Sequence, residues 1–422
     1  MNELVSISIM TYNQERYIQD TLRSVINQDY DNLELVILDD HSTDNTINKI
    51  WEMMEELEAR FTRVKVLVNE QNTGNMSRNS NILLNEYNGK YFKILGGDDM
   101  LTPDSCRKSM ELVRNSGYAI DVVFSDVYIV GELFQYNLNE VKCCKVLRNE
   151  DINKTDLVEK LLVENRFVCI GALCNTNTLR GVGGYDESVT VEDYQMWIRL
   201  AVYGKRLEVF HEPLAMYRRT CASMSNLIGS DNAIICKHRV LTEQIFKTQL
   251  LFKGQCNPLY LERAIIYRIL WTMMEQCSIG AFGIELLEDI ITENNLSMNV
   301  RDIMTSFVIN VRHFAERHKN FLIYGYGKYG KYVVHFFDEY GIKYYKIVDV
   351  CGEKLSDEFH KVSVPEEKYH DVNCALVTMR EFSPQIKNDL GRRGINEVYS
   401  VINLLEEFVD KYILDETQIG VL

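Results

Sequence analysis

The sequence predicts an α/β protein: a parallel sheet covered on both faces at the N-terminal end, a helical middle, and a second, smaller α/β domain at the C-terminal end. Three observations carry this expectation. Short β-rich apolar runs alternate with helical periodicities over the first hundred residues, and such alternation demands crossovers that bury both faces of a parallel sheet. From Asn226 to Lys319 the apolar spacing is helical almost throughout. At Asn320 a fresh strand–helix–strand pattern begins, so the expected domains are 1–225, 226–319 and 320–422.

Taken in order, "LVSISIM" (Leu4 to Met10) is a β-rich run. "QERYIQDTLRSVINQ" places Tyr17, Ile18, Leu22, Val25 and Ile26 at helical spacing. "LELVILDD" is the second strand. "STDNTINKIWEMMEELEAR" opens with Ser, Thr and Asp, which cap helix N-termini, and continues as one helix. "VKVLVN", "MSRNSNILLNEY" and "YFKILGG" follow as third strand, third helix and fourth strand. Residues 105–225 continue as mixed α/β, with a strand at "DVVFSDVYIV". The C-terminal domain opens on "NFLIYGYGKYGKYVVHFFDEYGIKYYKIVDV" and adds short strands at "CALVTM" and "EVYSV".

Composition narrows the classes. Acidic residues outnumber basic ones, 61 to 46, and a formal net charge of −15 argues against a nucleic-acid partner. Eleven cysteines, an odd number without a Cys-x-x-Cys pair, are neither a disulfide framework nor a zinc ribbon, and reduced thiols are expected. The opening "MNELVSISIM" has an acid where a secretion signal needs bases, and no uncharged apolar stretch is long enough to span a membrane. The expected location is cytoplasmic.

The chemistry collects at strand ends. Thr11-Tyr12-Asn13, Asp39-Asp40 and Asp98-Asp99 each follow a predicted strand of one parallel sheet, and ligands bind such sheets in the crevice at the carboxyl ends of the strands. In "KILGGDDMLTP" (Lys93 to Pro103) the paired aspartates admit two readings. Gly-Gly-Asp-Asp is good turn chemistry. Paired carboxylates also suit a hard divalent cation shared with a substrate phosphate.

With these clusters in view, "VSISIMTYNQERYIQDTLRSVINQDYDNLELVILDDHSTDNT" resembles the opening of family 2 glycosyltransferases of the GT-A type, and the likeness runs through the first half of the chain. The resemblance implies a nucleotide-diphosphate sugar donor, a UDP-sugar in particular, held by Thr11, Asn13 and Glu15 and by Asp40 at the base. "NEQNTGNMSRNSNI" is similar to the family's Asn-x-Gly and Ala-Arg-Asn segment, with Ser77 in the alanine place and Arg78 beside base or diphosphate. "LGGDD" matches the family's Asp-x-Asp region with Gly96 in place of the usual first aspartate. This implies Asp98 as ligand of a divalent cation (Mn²⁺ or Mg²⁺) and Asp99 as a donor-binding neighbour. "GVGGYDESVTVEDYQMWIRLAVYG" resembles the acceptor segment, implying Asp193 as general base with Glu192 beside it and transfer with inversion. Read without the resemblance, Glu192 and Asp193 are the acidic first turn of a helix. The family's metal-binding histidine after Tyr-Arg is absent: Arg219-Thr220-Cys221 stands there, and Arg218 or Arg219 is a candidate for the diphosphate. The acceptor implied is a hydroxyl of a growing surface glycan, including a lipid-linked one, which would bring the protein to the inner face of a membrane.

Two signals remain. His313 and His318 are five apart on a predicted helix, so they face different ways and read as solvated positions. "YGYGKYG" supplies Gly325, Gly327 and Gly330 as a Gly-x-Gly-x-x-Gly between strand and helix, and Asp349 ends the next strand where a ribose-binding acid belongs. The domain resembles small Rossmann-like modules appended to sugar-modifying bacterial enzymes. It admits a dinucleotide site, and with it a nicotinamide-dependent oxidoreductase, or a degenerate module used for packing or self-association. A third alternative is a scaffold that binds nucleotide-sugar without turning it over.

Overall fold

In β1 (Val5–Thr11) branched and small residues alternate, and the alternation decides what each face of the sheet is for. Val5, Ile7 and Ile9 join a core cluster with Ile18, Leu22 and Val25 of α1 (Ile18–Ile26). Ser6, Ser8 and Met10 point the other way. The computed structural model describes residues 2–131, 146–147, 156–219, 231–279, 284–294, 296, 298–356, 360–378 and 384–419. It separates into two compact units, one of Met1–Gly229 with Glu243–Leu261, the other of Ser230–Thr242 with Glu262–Leu422.

The first unit continues with β2 (Leu33–Asp39), α2 (Thr46–Glu52), α3 (Met54–Arg60), β3 (Val64–Val68), α4 (Met76–Glu86) and β4 (Tyr91–Gly96). The stretch expected as one helix is therefore two. Met53 stands between them with ψ near zero, and no Gly or Pro announces the break. Next come β5 (Met100–Leu101), α5 (Ser105–Asn115), β6 (Val122–Gly131), β7 (Val146–Leu147), α6 (Leu157–Val163), β8 (Leu173–Asn175), α7 (Thr176–Gly181), α8 (Glu192–Val202), β9 (Leu207–Arg219) and the part of α9 (Asp231–Leu250) from Glu243 onward.

Among the described residues these strands form one nine-stranded sheet in the order β3-β2-β1-β4-β8-β6-β9-β5, with β7 beside β6. The first four are parallel, as the alternation predicts. β8 runs antiparallel between β4 and β6, so the sheet is mixed rather than wholly parallel. β6 and β9 are parallel but slip register at Ser125 and Asp126, where Pro213 lacks the N–H a regular ladder needs. The chain winds from β1 outward to β3 and then returns to place β4 on the other side of β1. That reversal opens a crevice at the carboxyl ends of β1 and β4.

The second unit carries most of α10 (Pro258–Ile279), then α11 (Ile284–Glu293), α12 (Val300–Arg317), β10 (Leu322–Tyr324), α13 (Lys328–Glu339), β11 (Lys346–Val348), β12 (Val362–Ser363), β13 (Cys374–Val377), α14 (Pro384–Arg392), β14 (Glu397–Ser400) and α15 (Val401–Ile419). Its five strands are all parallel in the order β12-β11-β10-β13-β14, a doubly wound arrangement.

A buried carboxylate locks the amino ends of the first sheet. Glu34 on β2 accepts from Ser6 Oγ at 2.6 Å and from the backbone N–H groups of Asn88 and Gly89 at 2.6 and 3.1 Å. Its second oxygen meets Arg63 Nη1 at 2.9 Å and Asn88 Nδ2 at 3.0 Å. Burial alone would raise its pKa, but these donors outweigh burial and hold it below the ordinary value. Replacing Glu34 by Ala strands several buried donors and the Arg63 charge. Chemical denaturation should show a loss of about 3–5 kcal/mol at neutral pH. A loss within experimental error would mean that water replaces the carboxylate.

Candidate active site

A cavity of about 640 Å³ opens at the crevice between β1 and β4. Ser8 and Met10, the cavity-facing residues of β1, line it together with Leu83, Tyr87 and Phe92. The small serine leaves room that a branched residue would fill. Thr11, Asn13, Asp40, Asp98, Asp99, Glu192 and Asp193 all contribute to the wall, so most of the expected site residues meet in one place.

The loops after β1 and β2 are tied to each other before any ligand arrives. Asn13 takes a left-handed conformation (φ 51°), which asparagine tolerates. Its backbone N–H donates to Ser42 Oγ at 2.8 Å, and its Oδ1 accepts from the N–H of Thr43 at 2.8 Å. Glu15 does the same two residues further on, accepting from the N–H of Asn45 at 2.9 Å, and it does not line the cavity. The N-cap of α2 is Asn45, whose side chain makes no cap bond; Asp44 before it accepts from Thr46 N–H at 2.9 Å. Thr11 donates from Oγ1 to Gln14 Oε1 at 2.8 Å. The backbone of Gly97 packs so close to this pair that an added Cβ would lie 2.6 Å from Thr11 Oγ1.

Asp40 reaches the cavity already saturated. Oδ1 accepts from Asn69 Nδ2 (2.7 Å) and Thr73 N–H (3.0 Å); Oδ2 accepts from Thr73 Oγ1 (3.1 Å) and Gly74 N–H (3.2 Å). Burial pushes its pKa up, but the Thr73 and Asn69 donors outweigh burial and hold the carboxyl below the usual range. Four donors use the directions in which its two oxygens accept. In this arrangement Asp40 shapes the loop 69–74 and has none left for a nucleobase. Asn79 next to it is buried, lines the cavity, accepts from Asn69 Nδ2 at 3.0 Å and adds a side-chain hydrogen bond to Asp40. Arg78 is exposed at the start of α4 and lies outside the cavity wall.

Asp98 and Asp99 fold back over Gly96. A Cβ at Gly96 would lie 2.9 Å from Asp99 Oδ2 and 3.1 Å from Asp98 Oδ1, so the glycine in the place of an aspartate leaves the space both carboxylates occupy. Arg218 holds the turn from behind. Its N–H donates to Asp99 Oδ1 at 2.9 Å and its Nε to the carbonyl of Asp98 at 2.9 Å. Its guanidinium also reaches Asp20 at 3.4 Å and lies 4.8 Å from the ring centre of Tyr17. Burial pushes both aspartates up, and repulsion from Asp98 pushes Asp99 up further, against the pull of Arg218. Arg219 ends β9, while Thr220 and Cys221 lie outside the described residues.

Glu192 and Asp193 form the first turn of α8, where the helix dipole favours negative charge. Burial and then the neighbouring Asp193 push Glu192 up to about 8. Burial also raises Asp193, but Asn165 Nδ2 donates to its Oδ2 at 2.9 Å and the Cys169 thiol is hydrogen-bonded to it, and both favour its charge. Near neutrality Glu192 keeps its proton, while the Asn165 and Cys169 contacts favour the charged form of Asp193. Asn165 and Cys169 escaped the sequence reading. "NRFVCIGAL" looks like a core run, and the contact joins segments far apart in the chain. His211 faces Asp126 (3.6 Å) and is not part of the cavity.

In the second unit each glycine of the Gly-x-Gly-x-x-Gly run is differently placed. Gly325 has φ 100°, and a Cβ on Gly330 would overlap the carbonyl of Gly325, so the turn itself demands both. Gly327 has open space around its missing Cβ. Asp349 accepts from the N–H groups of Tyr326 (2.9 Å) and Cys351 (2.8 Å), which ties the end of β11 to the loop.

With this geometry in place, the chain can be compared with known proteins. Residues 6–173 match the sequence model of Glycosyl transferase family 2. An uncharacterized glycosyltransferase of Haemophilus influenzae is 28% identical over 230 residues, covering 51% of this chain and 65% of the relative, just under two thirds. The GalNAc(5)-diNAcBac-PP-undecaprenol beta-1,3-glucosyltransferase of Campylobacter jejuni is 25% identical over 231 residues, 54% of this chain and 69% of that protein. The crystal structure of S. aureus TarS 1–349 in complex with UDP-GlcNAc is similar in fold, with a TM-score of 0.51 at 16% identity over 74% of this chain and 87% of that one. The GT-A fold expected from the opening motifs is the fold observed.

The Glu192 shift has a consequence for stability. Its folded pKa lies above its ordinary value of 4.5, so the folded state keeps a proton that the unfolded chain has lost. The stability contributed is full below that ordinary value and is lost as pH rises to about 8. Glu192→Gln cannot ionise. Its melting temperature should gain on the wild type as pH is raised across this window and show no gain at the acidic end. A constant difference across the window would place the ionised Glu192 in solvent.

Proposed function

We propose that the N-terminal unit transfers a sugar, with inversion, from a nucleoside-diphosphate donor to a hydroxyl of a growing surface glycan. One observation carries the reading: two carboxylate pairs from opposite parts of the chain face the same cavity and ask for different partners. Asp98, partly buried, and Asp99, buried, are adjacent carboxylates whose repulsion and burial Arg218 only partly offsets, a donor set that fits a hard divalent cation. Mn²⁺ or Mg²⁺ held there would neutralise the charge of a departing diphosphate. Glu192 and Asp193 ask instead for a proton.

Asp193 accepts the proton of the acceptor hydroxyl while that oxygen attacks the anomeric carbon. The bond from the anomeric carbon to the diphosphate breaks, and its electron pair leaves with the nucleotide. A single displacement of this kind inverts the anomeric centre. Asn165 and Cys169 hold the carboxylate that takes the proton. Asn79, buried in the cavity wall beside Asp40, is a candidate neighbour of the base. A UDP-sugar is the donor we favour, because the TarS structure of the same fold holds UDP-GlcNAc. The undecaprenol-linked substrate in the name of the Campylobacter relative makes a lipid-linked glycan the acceptor we favour. Among the described residues no helix is long and apolar enough to cross a membrane.

Asp193→Asn keeps shape and loses the basic oxygen. Turnover should fall by about 10²–10⁴ while calorimetric donor affinity stays near wild type. Near wild-type turnover would put the base elsewhere, and joint loss of binding and turnover would make Asp193 a binding residue. Asp98→Asn should do the reverse at the donor, weakening UDP binding in the presence of Mn²⁺ by about tenfold or more. Equal affinity in calorimetry would remove Asp98 from the cation site.

A further inference from the structure

A group of three metal-ligating side chains in the second unit takes no part in the chemistry above. Its members come from three elements. His318 closes α12, Cys374 opens β13 and Glu397 opens β14. β13 and β14 are parallel, and Cys374 and Glu397 are register partners, so their side chains leave the sheet on the same face. Tyr399, two residues along β14, shares that face. Its ring packs edge-on against Phe314 and tilted against the His318 imidazole, and Phe314 covers the imidazole from its own helix. His318 is therefore not the solvated helix position its spacing from His313 suggested. Its side chain is 16% exposed and its Nδ1 lies 2.8 Å from Glu397 Oε2.

We propose that His318, Cys374 and Glu397 form a zinc site that fastens the end of α12 to the amino-terminal edge of the second sheet. One ligand atom from each residue lies within 4.8 Å of the other two. Tetrahedral zinc with ordinary bond lengths holds its ligand atoms about 3.4–3.8 Å apart, so closure asks for a movement of about an ångström. The carboxylate of Glu397, nearly half exposed, has that freedom. Imidazole, thiolate and carboxylate together are the borderline donor set that zinc takes, and three protein ligands leave a fourth position for water. Without a cation the buried thiol sits beside the Glu397 carboxylate. Zinc displaces the thiol proton to solvent and replaces the hydrogen bond between imidazole and carboxylate. The site lies at the opposite edge of the sheet from the glycine-rich loop after β10, so it is independent of any ligand there.

Cobalt makes the test specific, because only a thiolate ligand gives the thiolate-to-cobalt charge-transfer absorption. The full chain, stripped with chelator, should take up one Co²⁺ with that band, and Zn²⁺ should displace it and raise the melting temperature. The band should disappear in Cys374→Ser and persist in Asp98→Asn, which separates this site from the catalytic cavity. Glu397→Gln alters a partly exposed side chain and should fold normally. It should weaken Zn²⁺ by at least the roughly 10–100-fold typical of losing even an outer-shell partner. No band in the wild type, or a band that survives Cys374→Ser, overturns the proposal. If Cys374→Ser does not fold, unchanged Zn²⁺ affinity in Glu397→Gln overturns it instead.

Discussion

The charged wall of the cavity depends on one buried cation. Arg218 is almost completely excluded from solvent, yet it is surrounded by the groups that most need it: the Asp98–Asp99 turn, Asp20 on α1 and the face of Tyr17. Two adjacent carboxylates in an apolar wall repel each other and resist ionisation. The guanidinium offsets part of that cost, and its Nε fixes the direction of the turn through the Asp98 carbonyl. Because Arg218 rides on β9, which pairs with β5 and β6, the far side of the mixed sheet sets the position of residues at the end of β4. The far half of the sheet is therefore part of the active site, and Arg218, expected at the diphosphate, sits there holding the aspartate turn.

Much of this was legible in the sequence, for a physical reason. Alternation of β-rich runs with helical spacing is a local signal, and β1 to β4 with their helices stand where it puts them. The break at Met53, the two-residue strand β12 and the antiparallel insertion of β8 are tertiary outcomes without a local mark. The site divides in the same way. Acids that end a strand or begin a helix are placed by that element, so Asp98, Asp99, Glu192 and Asp193 reach the cavity together. Glu15 and Arg78 occupy motif positions too, but one side chain is taken by a neighbouring backbone and the other faces solvent. Asp40, Asn165 and Cys169 show what sequence cannot display, which is how many donors converge on a carboxylate once the chain is folded.

The two units also show opposite uses of glycine. In the first, Gly97 is required because the backbone itself forms the wall against Thr11 and Gln14. In the second, Gly325 and Gly330 are required by each other, and the Asp349 carboxylate is engaged with backbone N–H groups. A motif that matches a phosphate-binding pattern letter by letter thus has a sufficient cause in the turn for two of its three glycines. Only Gly327 stands without such a cause.

The alternation in β1 has a longer reach than packing. Ile7 and Ile9 are held by the core, whereas Ser8 and Met10 look into the cavity from the same strand. Substitution at the second pair alters the volume offered to a guest and leaves the first pair untouched. A lineage can therefore drift in what it accommodates by changing alternate letters of seven, while the intervening letters preserve the fold.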